Sequence, residues 1–311
     1  MSTAPLISVV IPAYNCQNYI VSALDSIFEQ SYTNIEVIIV NDGSTDNTLQ
    51  VLNNYRNPVT IINQDNSGSA VARSLGMKKS SGKYIAFLDA DDLWLADKLK
   101  EQVEFLENHK DYGLVFSNWV TWKPNDKGEF VSTEISLNKS DIIVKKPYSG
   151  WIYSDLLMDC IVWTSCVLMR HSIYEQVGNF NTNLRRGQDY DYWLRVSKIT
   201  QIHKLDRIYA VYRQHNESIS NKVNSVNYEY IVIKSAIDNL GESSKNKKHV
   251  LQRLSDLCFD FSYQHYHNGS LKVALDSILK SIRYNPFKIK AWVYLILIAS
   301  KYLYSSLFKN T

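Results

Sequence analysis

The first third of the chain alternates short apolar runs with segments whose apolar residues recur at helical spacing. Ile7–Asn15 (ISVVIPAYN) predicts a buried strand and Tyr19–Gln30 (YIVSALDSIFEQ) a helix. Ile35–Asp46 (IEVIIVNDGSTD) predicts a second strand ending in a polar turn. NTLQVLNNYR then reads as a helix, with Ser44 or Asp46 as its N-cap. Val59–Gln64 is a third strand, GSAVARSLGMKKS a helix, and KYIAFLDADD a fourth strand. The strand runs are continuously apolar, so both of their faces are covered. That pattern predicts a mostly parallel sheet built from βαβ units. Ligands of such sheets bind at the carboxyl ends of the strands. Here those ends carry Tyr14 and Asn15, then Asp42, then Asp89 to Asp92.

The middle of the chain is less regular. ADKLKEQVEFLENHKD predicts an amphipathic helix and Gly113–Trp122 a strand. Residues 123–150 are polar and weakly patterned, as in a loop excursion. Ser165–Phe180 reads strand, helix, turn. Asp189–Ile199 reads as a helix, and Gln201–His215 as a strand pair or one long strand. From about Lys222 the pattern is nearly all helical. YHNGSLKVALDSILKSIRYNP has the form of one tetratricopeptide-like hairpin; a single unit cannot stand alone, so it reads as a helical appendage.

Composition narrows the function classes. The charge balance, 34 basic against 31 acidic residues, does not point to nucleic acid. Cys16, Cys160, Cys166 and Cys258 form no CxxC pair, which favours free thiols in a reducing compartment. The N-terminus lacks the basic and apolar regions of a signal peptide. No GxxxxGK[ST] or GxGxxG spacing occurs, and neither a nucleophilic triad nor a zinc cluster is evident.

The acidic run Asp89-Ala90-Asp91-Asp92 needs an explanation, because like charges at a strand end repel. It either solvates the turn before Leu93 or carries a dication, which would relieve the repulsion. Mg²⁺ or Mn²⁺ prefers carboxylate oxygens. Tyr14 either packs or stacks on a base. Asp42 suits an Asx-turn with Gly43.

Taken together, VVIPAYN (Val9–Asn15), VNDGSTDNT (Val40–Thr48), Asn66–Asp92 and GQDYDYWLR (Gly187–Arg195) resemble family-2 glycosyltransferases of the GT-A fold. Tyr212–Ser220 adds support. The resemblance runs from residue 7 to 220 and leaves out about 225–311. It implies an α/β fold, a Rossmann-like mostly parallel sheet with flanking helices, followed by an all-α C-terminal extension. It implies that Pro12, Ala13, Tyr14, Asp42, Arg73, Asp89 and Ala90 form the nucleotide site. Asp91 would contact the metal directly, and Asp89 the ribose or a metal-bound water. Asp92 would assist or cap the next helix. Asp189 matches the family's general base, and inversion at C1 follows from one base and in-line attack. Asp191, two residues along a helix, points away from Asp189. His215 could complete the metal sphere, and Arg213 could meet the diphosphate. Trp193 either packs or lines the acceptor side, where Gln188 also falls. The family usually has Asn at Ser74 and Glu at Gln188.

The resulting expectation is an inverting, metal-dependent hexosyl-type transferase using Mn²⁺ or Mg²⁺. Its donor is a nucleotide-diphospho-sugar, UDP-linked by preference, and its acceptor a saccharide or lipid-linked glycan. Residues 1–221 would form the transferase domain, with a nucleotide half at 1–122 and an acceptor half at 123–221. Residues 222–311 would form the helical extension. A non-catalytic sugar-nucleotide binder or scaffold is the competing class. A nucleotidyltransferase fits less well, since its Gly-rich triphosphate loop is absent from IPAYNCQNYI. The expected location is the cytoplasm. Residues 287–309 would either touch the inner membrane face or simply close the helical appendage.

Overall fold

The computed structural model describes residues 4–131, 135, 137, 142–215, 224–238 and 247–308. It divides into two compact units, Met1–Leu156 with Cys160–Ser218, and Leu157–Asp159 with Ile219–Thr311.

The first unit is built on one mixed sheet. Its first half contains β1 (Ile7–Ala13), β2 (Ile35–Asp42), β3 (Thr60–Gln64) and β4 (Tyr84–Phe87), in the spatial order β3-β2-β1-β4. All three pairings here are parallel, as the continuously apolar runs predict. The crossovers contain α1 (Ile20–Phe28), α2 (Thr48–Asn53) and α3 (Ser69–Lys79). Helix α3 lies close on β1 because Gly76 has no side chain: a Cβ there would stand 2.3 Å from Val10 Cγ1. The strand order reverses between β1 and β4, which makes their carboxyl ends the switch-point crevice.

The second half contains β5 (Leu93–Trp94), α4 (Lys98–Asn108), β6 (Tyr112–Trp122), β7 (Ser149–Gly150), α5 (Tyr153–Leu156), β8 (Leu168–Arg170), α6 (His171–Val177), α7 (Gln188–Val196) and β9 (Gln201–Arg213). Here the parallel expectation gives way. β6 and β9 are parallel, but β8 runs antiparallel to β4 and β6, and β5 and β7 run antiparallel to β9. The segment 201–213 is one long strand, not a hairpin, because no turn residue interrupts it.

The second unit contains α8 (Tyr228–Asp238), α9 (Lys247–His267), α10 (Leu271–Tyr284) and α11 (Ile289–Phe308). The hairpin expected around Asn268-Gly269-Ser270 is the α9–α10 pair. Small serines let these helices meet: Ser262 Oγ donates to Ala274 O at 2.7 Å, and Ser255 Oγ to Ser281 O at 2.9 Å. α10 stops before Asn285-Pro286, since proline cannot continue a helix. All four cysteines are free thiols.

Lys98 opens α4 and is wholly buried. Its Nζ donates to Gln102 Oε1 at 2.9 Å and lies 4.0 Å from the Trp94 ring centroid. Burial pulls its ammonium down to about 7. The unfolded chain therefore binds the extra proton between that value and lysine's ordinary ~10.4. Lys98 thus costs most stability below pH 7, and the cost fades as pH rises toward 10. Lys98→Met is expected to raise unfolding free energy by about 1–4 kcal/mol at pH 6. The gain should shrink at pH 9.5. Urea titrations at the two pH values check it, and a gain independent of pH would contradict this account.

Candidate active site

The crevice opens where β1 and β4 separate. Their last paired residues are Val10 and Phe87, after which Leu88 N still donates to Val10 O at 3.2 Å. Pro12 has the same parity as Val10, so an N–H there would aim at β4, where pairing has ended. Proline supplies none. Beyond it, Ala13 is buried, Tyr14 is half-exposed and Asn15 takes φ +47°. Asn15 N donates to Ser44 Oγ at 3.1 Å and Asn15 Oδ1 accepts from Thr45 N at 2.8 Å. Cys16 N donates to Thr48 Oγ1 at 2.8 Å. The loops after β1 and β2 are thereby laced into one rim. Asp46 accepts from Thr48 N at 3.0 Å, but the N-cap position of α2 is Asn47, and Ser44 is drawn to Asn15, so neither expected residue is the cap.

Asp42 does not make the Asx-turn with Gly43. Its Oδ1 accepts from Gln64 Nε2 at 2.7 Å and Ser67 N at 2.8 Å, and its Oδ2 from Gly68 N at 2.8 Å. It clamps the loop that feeds α3. A carboxylate has about four acceptor sites, so one remains for a ligand donor.

Arg73, four residues into α3, is buried and its Nη2 donates to Asp89 Oδ1. Burial works against its charge, but Asp89, Asp189 and Asp92 outweigh it and hold the guanidinium above its ordinary range. Arg73 and Asp89 thus face one another at the end of β4. Ser74, where the family has Asn, donates to Ala70 O at 2.7 Å and accepts from Phe180 N at 3.1 Å.

The other two carboxylates have separate partners. Asp91 is partly exposed, and its Oδ2 stands 3.0 Å from His215 Nε2. The His215 ring stacks on Tyr19 with centroids 4.6 Å apart. Asp92 is buried and accepts from Ser165 Oγ at 2.6 Å, while Asp89 N donates to that same Oγ at 3.2 Å. Burial, reinforced by Asp91 and Asp89, pushes Asp92 well above the usual carboxylate range. It does not cap α4, whose N-cap position is Asp97. Ala90 is buried between these groups in sequence.

Arg213 is enclosed rather than aimed outward. Its guanidinium lies 5.1 Å from the Tyr19 ring, 5.2 Å from Trp122 and 5.3 Å from Phe130. It donates to Ser22 Oγ at 2.9 Å. Burial lowers its pKa, and the Asp91 and Asp92 charges oppose that.

Gly187 caps α7 in the left-handed region at φ +70°, which suits glycine. Gln188 follows and donates from Nε2 to Ser69 Oγ at 2.7 Å, joining the start of α7 to the start of α3. Asp189 stands in the first turn of α7, is partly exposed, and is near enough to Arg73 to raise its pKa. Asp191 instead pairs with Arg195 at 3.0 Å. Trp193 is 0% exposed in a cluster with Phe87 and Phe180, so it packs the core and does not line an acceptor face.

Asp42, Arg73, Asp89, Asp91 and His215 thus gather around the crevice, with Asp189 linked through Arg73. Ser165 and Tyr19 were missed in the sequence. Ser165 lies 73 residues from Asp92, and nothing local marks it. Residues 216–220 of the YRQHNESIS block lie outside the described residues.

This crevice, with its acidic loop, is the arrangement of a GT-A-type fold. The chain belongs to the glycosyl transferase family 2, whose pattern matches residues 8–178. It is 32% identical over 234 residues to the Escherichia coli UDP-Glc:alpha-D-GlcNAc-diphosphoundecaprenol beta-1,3-glucosyltransferase WfaP, covering 74% of this chain and 86% of that one. The Staphylococcus aureus TarS 1–349 structure in complex with UDP superposes with a TM-score of 0.63 at 22% identity, over 90% of this chain and 81% of that one. The Pyrobaculum calidifontis mannosyltransferase PcManGT, in complex with GDP-Man and Mn²⁺, gives 0.60 at 18% identity, over 98% and 88%. Against longer Rickettsia relatives the chain spans only 26–38% of their length.

Ser165→Ala would leave a buried carboxylate short of a donor, at a cost of about 1–3 kcal/mol. Urea denaturation checks this. Unchanged stability would mean that Ser165 does not hold Asp92.

Proposed function

We propose that this chain is an inverting glycosyltransferase that moves a sugar from a UDP-linked donor to a saccharide or lipid-linked acceptor. It would act in polysaccharide or glycoconjugate synthesis, at the cytoplasmic face of the membrane. The observation that carries the reading is the strand-end loop in which Asp89 pairs with buried Arg73 while Asp91 stands 3.0 Å from His215. Asp189 lies near enough for its charge to act on Arg73 as well. The WfaP and TarS similarities support a UDP-linked donor, and WfaP supports a lipid-linked acceptor.

Asp91 and His215 fit a divalent cation. Asp91 would offer a carboxylate oxygen and His215 an imidazole nitrogen from opposite sides of one contact, and both are donors that Mg²⁺ or Mn²⁺ accepts. Among the described residues no group of three or more His, Cys, Asp or Glu is set to hold a metal. Further ligands would come from the donor diphosphate and water, as is common for Mg²⁺ and Mn²⁺ sites. Bound there, the ion would offset charge on the departing diphosphate.

The chain's own groups do the rest. The remaining acceptor site on Asp42 takes the uracil N3–H, and half-exposed Tyr14 offers a ring for the base. Arg73 fixes Asp89 at the sugar-facing end of β4. Asp189 accepts the proton of the acceptor hydroxyl as that oxygen attacks C1 opposite the diphosphate. Configuration at C1 is therefore inverted. Gln188 keeps Asp189 in place through Ser69.

Purified protein should hydrolyse or transfer from a UDP-sugar only with Mn²⁺ or Mg²⁺, and Asp91→Ala should abolish this. Asp189→Asn should bind donor normally and lose about 10²–10⁴-fold in transfer rate. Calorimetric donor titration beside a product assay separates the two. Full activity of Asp189→Asn would remove it as the base. Donor binding without turnover across acceptors would favour a binding protein.

A further inference from the structure

Residues 291–299 of helix α11 are apolar on all sides, with Lys290 before them and Ser300 and Lys301 after. Ala291, Tyr294, Leu295 and Ile298 form its inward seam in the cluster with Ala274 and Ile278 of α10. A solvated surface helix would turn polar residues outward. α11 instead turns out Ile289, Trp292, Val293, Ile296, Leu297 and Leu303, all exposed. Ile289, Trp292, Val293, Ile296 and Leu297 recur at three and four residues and make one stripe, and exposed Ser300 separates it from Leu303. Phe287, just before the helix, is 91% exposed, and Ile296 in mid-helix is 66% exposed. No helix among the described residues is long and apolar enough to cross a membrane.

Charge indicates what covers this stripe. Asp276 is the last acidic residue, and the 35 residues after it contain Lys280, Arg283, Lys288, Lys290, Lys301 and Lys309. Residues 219–311 hold 13 basic against 6 acidic side chains, while the whole chain holds 34 against 31. The positive charge is thus concentrated in the unit that bears the stripe. Lys280, Arg283 and Lys290 are exposed. Lys290 and Lys301, exposed on α11 itself, would meet their own like in a second copy of this helix and be repelled. An anionic bilayer offers both complements: acyl chains for the stripe and phosphates for the cations. Trp292 suits the boundary between them, with an apolar ring and an Nε1–H that donates to Pro286 O at 2.8 Å.

We propose that the outward face of α11 binds an anionic phospholipid surface, lying in its plane. The inference does not depend on sugar transfer. The full chain should float with phosphatidylcholine vesicles containing phosphatidylglycerol, and not with phosphatidylcholine alone. Binding should weaken as salt rises. The double variant Ile289→Glu/Ile296→Glu should bind these vesicles at least tenfold more weakly while keeping its helical circular dichroism. Should that variant unfold, Lys280→Glu/Arg283→Glu/Lys290→Glu, all at exposed positions, should lose the same binding. Failure to float with either vesicle would overturn the proposal. So would undiminished binding by a folded variant. Self-association that the double variant abolishes, in place of vesicle binding, would assign the face to a second copy and overturn it as well.

Discussion

A guanidinium taken out of water must be met by anions, and Arg73 sets this demand at the centre of the first unit. It is buried on α3, and Asp89 at the end of β4 answers it directly. Asp189 on α7 answers it at longer range. Neither carboxylate comes from the helix that carries Arg73, so the ion pair is also a statement about chain placement. α3 can sit where it does because Gly76 lets it approach Val10. The loop entering α3 is fixed from the other side by Asp42, which accepts the Ser67 and Gly68 amides. Removing one partner of such a pair strands the other charge, which is more disruptive than never having had the pair.

The same constraint explains how three carboxylates persist within four residues. Each is relieved by a different mechanism. Asp89 is neutralised by Arg73. Asp92 is buried against Ser165 and pushed toward its protonated form. Asp91 faces His215 at the more open side of the loop. A dication is therefore not needed to hold the loop together. Two of the relief mechanisms are internal and fixed, and the third is a pair of metal-competent donors. Fixed neighbours leave Asp91 as the exchangeable one, which is a preorganised arrangement in which little must move on binding.

The parallel half of the sheet was legible in the sequence because its signal is local. Each strand is a continuous apolar run, and each ends in polar residues that a buried strand would not tolerate further in. The antiparallel partners were not legible. β8 is three residues long, and its pairing with β4 joins segments more than eighty residues apart. Tyr14, Asp42 and Asp89 to Asp92 were legible from their place at strand ends, while Arg73 and Asp189, on helices, came only with the family resemblance; the partners of these side chains were not legible. Arg73 and Arg213 look alike in sequence as cations fit for phosphate. Only the fold shows that one faces a carboxylate and the other sits among Tyr19, Trp122 and Phe130. Trp193 stayed open between packing and lining for the same reason, and burial decides for packing: an aromatic in an amphipathic helix has no mark that separates core from ligand wall.

The tail shows where periodicity runs out. A helix apolar all round gives no preferred direction, so sequence cannot divide its inward from its outward face. Packing divides them, since Ala291 and Ile298 are enclosed while Ile289 and Ile296 are not. An acceptor on a lipid anchor is confined to two dimensions, and an enzyme held on that surface meets it at a raised effective concentration. One interfacial helix with a few cations binds a surface reversibly, whereas a membrane-spanning helix is effectively permanent. The mixture found after Asp276, an apolar stripe with cations and no anion, suits the reversible case.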